Sequence, residues 1–102
     1  MARNVRTVDA AANLVPVGVH AAVAVTDTAV GLTVPAGATH VWFTVETAAV
    51  RMRLDGEDAE TAVGLRLTSG SVGLISATAA QKASFVRATG TSGTLQVQGM
   101  AY

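Results

Sequence analysis

The chain has 102 residues, the length of one domain, and enough to bury a core without staples. Seven basic side chains balance seven acidic ones and there is no cysteine. This excludes a binder driven by phosphate contacts, a disulfide framework and a thiolate metal site. Charged residues make up only 14% of a chain that is half hydrophobic, so the surface is expected to need a partner. No run approaches the roughly 20 apolar residues of a membrane helix. Arg3, Arg6 and Asp9 interrupt the N-terminus before a signal-peptide stretch can develop. The lack of cysteine fits assembly in a reducing cytoplasm.

Residues 1–13, "MARNVRTVDAAAN", show no periodicity and are expected to form an arm or a loosely attached first strand. The remainder, 14–102, reads as one body. "LVPVGV" (14–19) is a weak strand signal and "HAAVAVT" (20–26) a better one, with Ala21, Val23 and Val25 on one face. "VGLTV" (30–34) runs into a turn at Pro35 and Gly37. "THVWFTVE" (39–46) alternates Val41, Phe43 and Val45 against His40, Trp42, Thr44 and Glu46. "VRMRL" (50–54) alternates Val50, Met52 and Leu54 against Arg51 and Arg53. "AVGLRL" (62–67), "SVGLIS" (71–76) and "ASFVRA" (83–88) are shorter strand signals, and "ATAAQKA" (77–83) suits about one helical turn. "TLQVQGM" (94–100) closes the series with Leu95 and Val97 opposite Gln96 and Gln98. Branched residues favour a pleated sheet. Strands every 8 to 12 residues, parted by glycine turns, predict an all-β fold. The expected architecture is a single-domain, jelly-roll-like β-sandwich of about eight strands with an N-terminal arm. Phe43 and Phe85 are expected in its core.

The stretch "VRMRLDGEDAE" (50–60) gathers two arginines and four acids. Asp55, Glu57, Asp58 and Glu60 are hard oxygen ligands, but their order is not that of an EF-hand loop. The reading adopted is a solvated hairpin. Asp55 and Gly56 start a tight reversal, and Arg51 and Arg53 lie on its wet face. A loop whose arginines meet a neighbour's carboxylates is the competing reading. Catalysis finds few parts. His20 and His40 are the only histidines, and Ser69, Ser71, Ser76, Ser84 and Ser92 sit in no nucleophile elbow. The chain is therefore expected not to be an enzyme and to need no cofactor. Trp42 falls on the polar phase of its strand, where it either covers an open sheet edge or anchors an interface. Tyr102 packs either on the sandwich or on a neighbour.

"VGLTVPAGATHVWFTVET", "VRMRLDG", "TAVGLRLTSG" and "ATGTSGTLQVQGMAY", in that order, resemble a group of small β-rich virion proteins of tailed bacteriophages. The resemblance covers residues 30–102 and lies in strand ends and turns: Leu32 to Ala38, Val50 to Gly56, Val63 to Leu67 and Thr94 to Val97. The family often has Pro-Thr after the Asp-Gly turn, where this chain has Glu57, Asp58 and Ala59. The resemblance implies a structural virion component, and neutrality favours the outside of the shell over a DNA-lining role. The expected function is a capsid decoration, or cement, protein on the outer head surface. Its partners would be the major capsid protein or other virion proteins, with no nucleic acid and no membrane. A homo-oligomer is expected, with a trimer at a three-fold position the natural geometry. The alternative is a receptor- or glycan-binding module of a tail, fibre or head–tail connector. The expected contact residues are Arg3 and Arg6 in the arm, Trp42, Arg51 and Arg53 on strands, Asp55, Glu57 and Asp58 in the loop, and Tyr102.

Overall fold

A computed structural model describes residues 13–102. The expected arm, with Arg3 and Arg6, lies outside the described residues apart from Asn13. Eight strands and one short helix follow in order: β1 (Val15–Val25), β2 (Val30–Gly31), β3 (His40–Glu46), β4 (Val50–Arg53), β5 (Leu65–Leu67), β6 (Val72–Ser76), α1 (Ala77–Lys82), β7 (Ser84–Arg87) and β8 (Gly93–Ala101). They form two antiparallel sheets of four. Sheet A has the order β1-β8-β3-β6 and sheet B the order β2-β7-β4-β5. First pairs with last, second with seventh, third with sixth and fourth with fifth. Only the β4–β5 connection stays within one sheet; every other connection changes sheet.

Alternation builds the core. On β3, Val41, Phe43 and Val45 are buried while the residues between them are not. Leu95 and Val97 of β8 stand opposite Val45 and Phe43 and join the same cluster. From sheet B come Val50 and Met52 of β4 and Phe85 of β7. The Phe43 and Phe85 rings meet edge to face across the sheets, with centroids 5.7 Å apart. β6 approaches so closely that a Cβ on Gly73 would overlap the Phe43 ring, so only glycine leaves room for that ring.

The "ATAAQK" turn forms α1 at the crossing from sheet A to sheet B. Ser76 caps it, its Oγ accepting from the Ala79 N–H at 3.1 Å, and Ala80 is fully buried in the core. Two weak sequence signals behave differently from expectation. "LVPVGV" and "HAAVAVT" merge into the single strand β1, interrupted by a bulge, and "VGLTV" contributes only Val30–Gly31.

The bulge has a specific construction. Val17 pairs with Gly99 and Ala21 with Val97, so Gly18, Val19 and His20 together oppose Gln98. The Gln98 side-chain amide donates to the carbonyls of Val17 and Gly18, each at 3.3 Å. Pro35, from the turn closed by Ala38 N–H to Pro35 O, packs over the site. A Cβ on Gly18 or Gly99 would come within 2.8 Å of it. Val19, at the crown, is 88% exposed.

Candidate interaction surface

The charged stretch 50–60 makes a hairpin, but not with a tight reversal. β4 pairs with β5, Val50 opposite Leu67, and the connection runs from residue 54 to residue 64. It folds back over the outer face of sheet B. The buried Ala59 N–H donates to Ser84 Oγ at 2.9 Å, which also satisfies the one buried polar side chain of β7. Arg51 holds the far end, its Nε donating to Thr61 O at 3.1 Å and a terminal nitrogen to Gly64 O at 3.2 Å. Arg53 forms a two-bonded pair with Asp55, Nε to Oδ1 at 3.1 Å and the other nitrogen to Oδ2 at 2.6 Å. Asp55 Oδ1 also accepts the Glu57 N–H, an Asx turn. The bonds from Arg53, then the Glu57 N–H, hold the Asp55 carboxyl below the ordinary carboxylate range. The same pairing raises the Arg53 guanidinium.

Arg51, Arg53 and Asp55 are thus engaged within the chain, while Glu57 and Asp58 stay exposed at the loop tip. Among the described residues, no three His, Cys, Asp or Glu side chains gather as a ligand set.

Trp42 lies on the other sheet. It stands directly across from Leu74 of β6 and Gln98 of β8, half-buried, on the outer face of sheet A. Val72, opposite Thr44 on the same face, is 63% exposed and Leu74 38%. At one end of this face the Tyr102 ring stands edge-on to His40, centroids 5.3 Å apart, and is 72% exposed. At the other end a polar chain crosses three strands. His20 bonds Gln96 Oε1 at 2.7 Å, and Gln96 Nε2 donates to Glu46 Oε1 at 3.1 Å. Within the strands of sheet A the one Asp, Glu, Lys or Arg is Glu46. The much shorter strands of sheet B carry Arg51, Arg53, Arg66 and Arg87.

The predicted contact residues that lie among the described ones therefore fall into two groups, one on each sheet's outer side. Trp42 and Tyr102 belong to an open face whose strands carry one charged side chain, Glu46. Arg51, Arg53, Asp55, Glu57 and Asp58 belong to a charged, loop-covered one. Sequence reasoning passed over Ser84, Gln96 and Gln98, which organise these surfaces. The adjacent apolar residues Phe85 and Val86 in "ASFVRA" were a usable signal, because a strand without strict alternation is covered on both faces. Comparison with family models, with curated proteins and with solved structures returned no match.

Proposed function

We propose that this chain is a structural protein of a tailed-bacteriophage virion, a capsid decoration protein that binds the outer head surface and stabilises the shell. The observation that carries this is the outer face of sheet A. It presents Leu74 and Val72, and part of the half-buried Trp42, to solvent on strands with a single charged side chain. Such a face loses little desolvation energy on docking against protein, and Trp is a frequent anchor of interfaces. Neutral overall charge supports protein partners over nucleic acid. The fold is proposed to be a jelly roll. In support, all four strand pairs match outermost with outermost, and the chain alternates between sheets except at β4–β5.

A cement protein acts by mass action. Binding only the assembled lattice stabilises it by about 2.7 kcal/mol per site at a hundredfold excess over Kd. Purified chain added to heads prepared without it should bind to a fixed stoichiometry and raise their rupture temperature. The Trp42→Ala variant should keep its fold and lose that binding. Equal rupture temperatures with and without bound chain would end the stabilising role. Binding to a cell-surface glycan array in place of heads would move the assignment to a tail or fibre module.

A further inference from the structure

A terminal strand leaves half its backbone N–H and C=O groups unpaired, so sheet edges are where β-proteins meet other chains. Three of the four edges here are blunted. β2 is two residues long, β5 is three and carries Arg66, and β6 is five with Gly73 at its second position before the chain turns into α1. β1 is eleven residues long and, among the described residues, pairs only with β8. Its first half is disarmed by Pro16 and by the bulge at 18–20. Its second half, Ala21–Val25, keeps unbroken register with β8 and contains no proline, glycine or charge. Beside that half lies an open groove of about 390 Å³. It is lined by Ala21 and Val23 on one side and Val30 and Leu32 on the other.

We propose that the free edge of Ala21–Val25 pairs with the same edge of a second copy of this chain, about a two-fold axis at Val23. Sheet A would then continue across both copies as one sheet of eight strands. Charge selects this occupant. In a two-fold contact each residue meets itself or a near sequence neighbour, so any charge faces its like. The segment from Leu14 to Thr26 has none. In this register Ala21 stands opposite the partner's Val25, and the two copies of Val23 stand side by side. Residues directly opposite share a face, so the partner's Val23 and Val25 point towards the groove. Ala22 and Ala24, on the outer side, are small enough to let the strands close. The interface is small, so association in the micromolar range is expected.

Sedimentation equilibrium of the full chain, from sub-micromolar to near-millimolar concentration, tests this. A reversible monomer–dimer equilibrium is expected. Ala22→Lys and Ala22→Glu should each weaken it by about tenfold or more, with thermal melts confirming the fold. An equimolar mixture of the two variants should restore association, because the two position-22 side chains lie diagonally across the strand pair, within reach of each other for opposite charges to attract. If either variant fails to fold, the same pair of changes at Ala24 replaces it. A monomer at every concentration, an association untouched by both charges, or a mixture that stays apart would overturn the proposal. So would a larger closed ring.

Discussion

Over sheet B, residues 54–64 lie against the strands, bonded at Ser84 and Arg51. Over sheet A, Leu74 and Val72 remain open to solvent beside the half-buried Trp42. Both sheets bury their inner faces in the same core, so the difference lies in what each outer face is for. Sheet B completes itself from within the chain: Arg51, Arg53 and Asp55 are used in that closure, while Glu57 and Asp58 are left at the loop tip. Sheet A presents few charges and one large aromatic. This teaches that a charge cluster on a small β-protein can serve the chain's own closure. Here the cluster holds a loop in place, and the quieter face is the one that the proposed function uses.

Several changes test this contrast. The largest effect is expected where the sheets share a core. Phe85→Ala removes half of the edge-to-face pair and should cost about 3–5 kcal/mol in denaturant unfolding. A much smaller loss would mean that the sheets do not depend on one core. Next, Ser84→Ala leaves the buried Ala59 N–H without its acceptor and should cost about 1–3 kcal/mol. The covering loop should also be cut faster by protease. A stable variant with an unchanged loop would show that sheet B's cover is held elsewhere. Trp42→Ala should cost about 1 kcal/mol or less in stability while abolishing docking. A large stability loss without a docking defect would reverse the roles assigned to the two faces.

The smallest effect concerns acid. The Asp55 carboxyl, paired with Arg53 and the Glu57 N–H, has its folded pKa depressed below the unfolded value. Its contribution is therefore complete above the ordinary aspartate pKa and is lost as pH falls through the depressed one. Asp55→Asn should flatten the acid limb of stability slightly and leave neutral-pH docking unchanged. An Asp55→Asn chain with an unaltered acid limb would show that the pair contributes nothing measurable.

Much of this architecture was legible in the residues. Alternation at Val41, Phe43 and Val45, and at Val50 and Met52, marked inner faces correctly, and the glycine turns parted the strands. The merging of two strand signals into β1 was not legible. The bulge depends on Gln98 reaching Val17 and Gly18, some eighty residues away in sequence. The folded-back loop was equally hidden. Asp55-Gly56 carries the local signal of a tight turn, but the bonds from Arg51 to Thr61 and Gly64 set the path. Of the surface, the sequence flagged Trp42 and Tyr102 by phase and position. It could not separate them from the arginines, because sheet membership is decided by long-range pairing.

That pairing also governs how the chain can be made. Among the described strands β1 lies at the edge of sheet A and is the first to be made, and its neighbour there, β8, is made after the other seven. At roughly 5–20 residues per second, Val15–Val25 spends seconds without its hydrogen-bonding mate during synthesis. Throughout that interval an uncharged, valine- and alanine-rich ribbon is exposed to other nascent chains. Expression yield should therefore be more sensitive to growth temperature and to holding chaperones than the finished domain's stability would suggest.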